Sequence, residues 1–230
     1  MYYAPLQMYE HFFTYHASPF LFINVCKKFT PKTSCDASGF QQNIILDDID
    51  TLAPVLAHLV NKSQTKGIFP NNGKIARVIP VYKNKGSKSS YDNYRPVSIL
   101  PVFSKIVEKL IYNKLSDFLV RYNILFKGQY GFRAGRNTTH ATADFIKSIE
   151  ESIDQGKYSI GIFVDLSKAF DTLNHEILLE KLEHYGIRGI AKQWFRSYLG
   201  NRVQFVDWNK QKSTLAPLTT GVPQGSILGP

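Results

Sequence analysis

Asp165 ends a short apolar run, Ser159-Ile160-Gly161-Ile162-Phe163-Val164, and stands two residues before Ser167, a helix-capping type. A carboxylate where a buried strand gives way to a helix has two readings. It is held on rigid backbone at a cleft edge, within reach of a metal ion or a reacting group, or it caps the next turn and does no chemistry. The other chemically suggestive residues are mostly cationic. Arg95 precedes Pro96, whose ring stiffens the backbone, so its planar guanidinium suits bidentate contact with a phosphate. Lys83, Lys85 and Lys88 lie in a polar, glycine-containing stretch, where mobile ammonium groups meet phosphates or simply solvate a hairpin tip. Gly131-Phe132-Arg133-Ala134-Gly135-Arg136 sets two glycines and two arginines around one aromatic, which brings backbone and guanidinium close to a sugar-phosphate chain. Its spacing is not that of a dinucleotide-binding G-x-G-x-x-G or a P-loop. Pro223-Gln224-Gly225-Ser226 offers a side-chain amide beside a closely approachable backbone, a platform for a sugar or base edge.

The surrounding elements must position these residues. Residues 159–164 predict a buried strand, with a helical pattern following through Leu173, Ile177, Leu178 and Leu182. Residues 74–82 and 93–100 predict two paired strands, with the lysine-bearing loop between them. Amphipathic helices are predicted over 44–61, 102–122 and, opened by Asn137 or Thr138, to residue 154. On the second of these, Lys105, Lys109 and Lys114 lie opposite the apolar face. Asp47-Asp48, the chain's one Asp pair, precedes a long amphipathic run and reads as helix-end chemistry rather than a metal site. Two further helices, 176–185 and 190–199, are expected to close on Gly186 and Gly200 in left-handed caps. A hairpin joins 202–208 to 215–218 around a loop at 209–213.

Composition bounds the class. The 230 residues, 43% hydrophobic and 13% aromatic, suffice for one sizeable domain or two small lobes. The net charge is +10, and it is unevenly placed. Residues 61–136 hold fifteen Lys and Arg against Asp92, Glu108 and Asp117, a net +12, so the remainder sums to −2. A basic lobe followed by a nearly neutral, acid-containing half suits a polyanion held beside a catalytic or metal-binding cleft. Cys26 and Cys35 suggest neither a disulfide scaffold nor a zinc site, so a reducing, intracellular compartment is expected. No apolar run reaches the roughly 18 residues a bilayer crossing needs, so no membrane partner is expected. His11 and His16 are five apart, which misses the helical spacing of a metal pair. Residues 1–28 are aromatic-rich and carry no functional reading.

Taken together, the stretches resemble the reverse transcriptases of non-LTR (LINE-type) retrotransposons. The matching text runs collinearly: Gly67-Ile-Phe-Pro70, Ala76-Arg-Val-Ile-Pro-Val-Tyr-Lys83, Asn93-Tyr-Arg-Pro-Val-Ser-Ile-Leu100, Ser104-Lys-Ile-Val-Glu-Lys109, Gly128-Gln-Tyr-Gly-Phe-Arg133, Phe163-Val-Asp-Leu-Ser-Lys-Ala-Phe-Asp171 and Gly221-Val-Pro-Gln-Gly-Ser-Ile-Leu-Gly-Pro230. Group II intron proteins share parts of it, but Lys168-Ala-Phe-Asp171 and Gly225-Ser-Ile-Leu-Gly-Pro230 look more like the retrotransposon version.

The resemblance implies an α+β, right-hand polymerase fold: a helical lead-in at 29–66, basic fingers at 67–157 and a partial palm at 158–230, with the thumb absent. By that similarity Asp165 is the catalytic, metal-binding carboxylate, joined by the backbone carbonyl of Leu166 on Mg²⁺. Lys83, Arg95, Phe170, Gln224 and Gly225 would bind the nucleotide, Phe170 lying under the sugar and excluding a 2′-hydroxyl. Lys85, Lys88, Arg133 and Arg136 would lie along the template. The implied partners are an RNA template, a DNA primer or target and deoxynucleoside triphosphates. The family draws further carboxylates from a Tyr-x-Asp-Asp hairpin that this sequence does not reach. The expectation is therefore a fragment with weak or absent Mg²⁺ binding, not competent alone, whose Asp165 strand forms an exposed edge. The alternative is a non-catalytic nucleic-acid-binding remnant. Cys35-Asp36-Ala37-Ser38, where the family favours Gly-x-Asp-Gly, and Asn71-Asn72-Gly73, where it favours a tryptophan, are departures.

Overall fold

Ile75–Tyr82 (β1) alternates buried Ala76 and Val78 with less buried neighbours and pairs on one side with Tyr94–Ile99 (β2), antiparallel, in the register Arg77↔Ile99 to Tyr82↔Tyr94. The structure, a computed structural model, describes residues 12, 13 and 16–230. On its other side β1 pairs in parallel with Arg202–Trp208 (β3), through Ile75↔Val203 to Val78↔Val206, a pairing no local pattern announces. Gln211–Lys212 (β4) and Ala216–Leu218 (β5) both add antiparallel to β3, so the sheet runs β2-β1-β3-β4 with β5 also on β3. β4 lies inside the stretch expected to be loop, because Asn209 and Lys210 adopt φ of 51° and 65° and turn the chain tightly back on itself.

The helices are Pro19–Cys26 (α1), Gln42–Asp47 (α2), Ile49–Lys66 (α3), Val102–Arg121 (α4), Thr138–Asp154 (α5), His175–His184 (α6) and Gly189–Leu199 (α7). The single helix expected over 44–61 is two, broken at Asp48, whose carbonyl accepts from Thr51 and Leu52 and starts α3. Asn137 and Asn174 cap α5 and α6, each accepting a backbone amide one turn on. Gly186 follows α6 with φ 101°, but Gly200 after α7 is extended at φ −80°, so the expected left-handed cap is absent there. Of residues 1–28, those numbered 1–11, 14 and 15, His11 among them, lie outside the described residues.

The chain divides into two units, one running to Ser116 and resuming over Lys168–Gly229, the other Asp117–Ser167 with Pro230. The first holds the sheet and the core. Trp194, fully buried, stacks on Tyr198 at 5.6 Å and meets Phe69 edge-on at 5.5 Å, while its indole N–H donates to Ser63 Oγ on α3. Ile106, Val107, Leu110 and Ile111 of α4 complete it. Lys105, Lys109 and Lys114 are only half-exposed, and Lys114 donates to the buried Gln64 at 2.8 Å.

In the second unit the structure corrects an expectation. Residues 159–164 form no strand: Ile160, Ile162, Phe163 and Val164 are 82–89% exposed. A strand is stabilised by ladder bonds and by cross-strand neighbours, and none of the described strands pairs with this segment. What it has instead is Phe163 packed edge-to-face on Phe145 of α5, centroids 5.8 Å apart. The expected exposed edge strand is thus an exposed irregular segment.

Candidate nucleotide and nucleic-acid site

Asp165 and Leu166 end that irregular segment; both are exposed, Leu166 at 74%. The rigid strand expected beneath Asp165 is therefore absent. Among the described residues no three His, Cys, Asp or Glu side chains gather into a group able to hold a metal. One carboxylate and one carbonyl are two of the six or so oxygens that Mg²⁺ takes, so the described residues alone do not fit a magnesium pair.

The remaining candidates in the first unit form a connected framework. Phe170 is half-buried, and its carbonyl accepts the amide of Val222 at 2.7 Å; Leu173 O accepts Gly221 N at 2.8 Å, and Asp171 O accepts Thr220 Oγ1 at 3.1 Å. His175 Nε2 lies 2.7 Å from the carbonyl of Gly221, closing the knot from α6. Two residues further on, Gln224 O accepts the amide of Ser98 at 2.7 Å. Gly225, at φ 115°, passes so close that a Cβ there would lie 2.8 Å from Ser98 O. The outer edge of β2 is thus closed by this turn. Arg95 stands on the same strand, exposed, opposite Val81 in β1.

The lysine-bearing loop is more ordered than its composition suggests. Lys83 Nζ donates to Asp92 O at 2.7 Å, Asn93 Nδ2 to Ser87 O at 2.8 Å and Tyr94 OH to Lys88 O at 2.9 Å. Lys88 Nζ sits 5.7 Å from the Tyr82 ring centroid, and Lys85 is exposed. Lys168, at φ 54°, lies 3.8 Å from Asp92. The hairpin tip thus carries Lys83, Lys85 and Lys88 with Asp92 as its one acid.

Arg133 and Arg136 belong to the second unit. Arg133 donates to Phe126 O at 3.1 Å and Arg136 to Lys127 O, while Tyr130 donates to Asp144 on α5 and lies under the Arg136 guanidinium, 5.2 Å from it. Both arginines are tied to their own loop and remain partly exposed. The tyrosine's proton is held more firmly than usual by that bond to Asp144.

Sequence reasoning missed Glu108. It is fully buried on α4, its Oε2 accepting the amide of Ile227 at 2.6 Å and its Oε1 the hydroxyl of Tyr198 at 3.1 Å. Burial pushes its carboxyl above the usual range, against the pull of the Ile227 amide, the Arg202 charge and the Tyr198 hydroxyl. Arg202, 2% exposed, donates to Tyr198 O at 2.8 Å and lies 4.7 Å from that ring. The available signal was periodicity: Glu108 falls among Val107, Leu110 and Ile111, within the apolar arc of α4.

A family model described as Reverse transcriptase (RNA-dependent DNA polymerase) matches residues 82–230. The chain belongs to the reverse transcriptase family. Its match begins at the last residue of β1 and takes in the hairpin loop, β2, Asp165 and the Gln224 turn. The chain is 33% identical over 181 residues to a probable RNA-directed DNA polymerase from transposon BS of Drosophila melanogaster, covering 76% of this chain and 19% of that protein. It is 33% identical over 184 residues to the RNA-directed DNA polymerase from mobile element jockey of the same species, covering 79% and 20%. To a 115 kDa protein in a type-1 retrotransposable element of that species it is 32% identical over 176 residues, covering 76% and 16%. The chain thus spans about a fifth of the length of these relatives. Their mobile-element names agree with the non-LTR retrotransposon resemblance of the motifs.

Proposed function

We propose that this chain is part of an RNA-directed DNA polymerase of a retrotransposon and builds the nucleotide-facing wall of its active site. The observation that carries the reading is the framework linking Phe170, Gln224-Gly225 and the Arg95 strand: Phe170 O to Val222 N, then Gln224 O to Ser98 N, both at 2.7 Å. A backbone tied at both ends holds the main chain at Phe170, at Gln224 and on the Arg95 strand in fixed relation, which supports positioning of a deoxynucleoside triphosphate. In this reading Arg95 and Lys83 hold the triphosphate, Phe170 lies under the sugar and excludes a 2′-hydroxyl, and Gln224 and Gly225 border the pocket. Lys85, Lys88, Arg133 and Arg136 contact the backbone of the RNA template and its DNA primer.

Asp165 is the catalytic carboxylate of this proposal, with the Leu166 carbonyl beside it. In nucleotidyl transfer a divalent metal supplies acidification of the attacking 3′-hydroxyl and neutralisation of the departing pyrophosphate. The fingers and partial palm of a right-hand polymerase are the corresponding division of the chain, at 67–157 and 158–230.

Primer extension on a homopolymeric RNA template tests the proposal, using a chain extended to carry a Tyr-x-Asp-Asp segment. Incorporation of deoxynucleotides and its loss in Asp165→Asn is the expected result. Undiminished incorporation by the variant would overturn the role of Asp165. Nucleic-acid binding without any incorporation by the extended wild type would favour the non-catalytic reading.

A further inference from the structure

Glu108 is an unusual residue to find at the centre of α4. It has no exposed surface, and its charge meets no salt-bridge partner within 4 Å among the described residues; Arg202 acts on it from further off. A buried carboxylate costs several kcal/mol unless its lone pairs are used, and an apolar residue of similar size would fill the same space more favourably. Here they are used on a particular segment. Oε2 takes the Ile227 amide at 2.6 Å, and Oε1 takes Tyr198 OH at 3.1 Å. Beside Ile227, Ser226 Oγ donates to Pro223 O at 2.9 Å.

The segment so held is the turn that carries Gln224 and Gly225. Its first half is fixed on β2 through Ser98, and Ser226 N folds it back to Pro223 O at 3.1 Å. Its second half has no strand or helix of its own; Glu108 is what the amide of Ile227 bonds to. We propose that Glu108 is a positioning residue: its carboxylate pins residues 226–228 and so sets where Gln224 and Gly225 stand against β2. This rests on the reading of those two residues as the border of a nucleotide pocket. Nothing in it requires Glu108 to touch the nucleotide. Charge-assisted bonds from a carboxylate to backbone amides are shorter and stronger than neutral ones, which explains why an acid occupies a place where leucine would pack.

The experiment uses this chain with Glu108→Gln, Glu108→Leu and Tyr198→Phe, read by amide hydrogen exchange and by equilibrium binding of dTTP. Glu108→Leu is expected to speed exchange at 226–228 by about tenfold or more, the loss of one charged hydrogen bond, while Val78 and Ile79 in β1 keep their protection. Glu108→Gln, which keeps an acceptor, should restore most of the protection, and each variant should weaken dTTP binding in step with its effect on exchange. Equal acceleration in the turn and in β1, or none in the turn, overturns the proposal. If Glu108→Leu does not fold, Glu108→Gln and Tyr198→Phe decide by the same comparison. Wild-type chain that protects 226–228 but binds no dTTP would overturn the nucleotide-pocket reading while leaving the clamp to be judged by exchange alone.

Discussion

Val222 donates its backbone N–H to the carbonyl of Phe170 across 2.7 Å, joining residues that lie 52 positions apart in the chain. Gly221, beside it, is at φ 76°, and a Cβ there would come within 2.7 Å of Asp171 Cα. Gly221→Ala therefore meets both a left-handed backbone and a steric collision. The expected cost is about 2–4 kcal/mol, from roughly 1–2 for the backbone and the rest for displaced packing, read from urea unfolding of the two chains. A change under about 0.5 kcal/mol, the ordinary range for a harmless surface substitution, would show that the close approach is relieved at little cost.

Trp194 anchors the core from the middle of α7, touching Phe69, Phe195 and Tyr198 with rings 5.3–5.6 Å away. Trp194→Ala should destabilise by about 3–5 kcal/mol, mainly through the cavity it leaves, with a smaller part from the lost indole bond to Ser63, whose hydroxyl keeps its bond to Ile68 O. Chemical denaturation followed by far-UV circular dichroism measures it.

Burial lowers the Lys114 ammonium from 10.5 to about 8. Between those values the unfolded chain binds more protons than the folded one. Stability contributed by this group is thus fully present above 10.5 and is lost as pH falls through about 8. Wild-type stability should carry a component that rises across that window with a slope of at most about 1.4 kcal/mol per pH unit, and Lys114→Met should lack it. Thermal unfolding of both chains at pH 7, 8 and 9 gives the comparison.

The hairpin tip predicts a salt signature. Binding of single-stranded RNA should weaken steeply between about 50 and 200 mM salt. Replacing Lys85 and Lys88 together by alanine should reduce the slope of log affinity against log salt by about 1.4, because two phosphates of a single strand then keep their counterions. Fluorescence anisotropy across a salt series reads the slope; an unchanged slope would remove these lysines from the interface.

Much of this architecture was legible in the residues because it is local. The hairpin of β1 and β2, the Asn137 cap and the helical faces of α4 to α7 follow from period and turn chemistry within a few residues of themselves. The irregular course of 159–164 was not legible, since an apolar β-branched run predicts a strand only where another strand receives it. Nor was the parallel pairing of β1 with β3, which joins distant segments. At the candidate site the residue types at 95, 170 and 224 could be picked out, but the bonds joining Phe170 to Val222 and Gln224 to Ser98 could not, because they are backbone bonds that carry no side-chain signal. Glu108 was overlooked for a related reason: an acid on a helix reads as solvated unless its place in the apolar arc is weighed above its charge.

The parallel pairing of Ile75 with Val203 also bears on the order of synthesis, for 128 residues separate the two. A ribosome adding about 5–20 residues per second exposes the inner edge of β1 for roughly 6–25 seconds before β3 exists to cover it. Throughout that interval the hairpin presents unpaired amides and carbonyls to whatever else is being made nearby. The lysines of the loop at its tip put like charges there, and like charge opposes edge-to-edge pairing of two such hairpins.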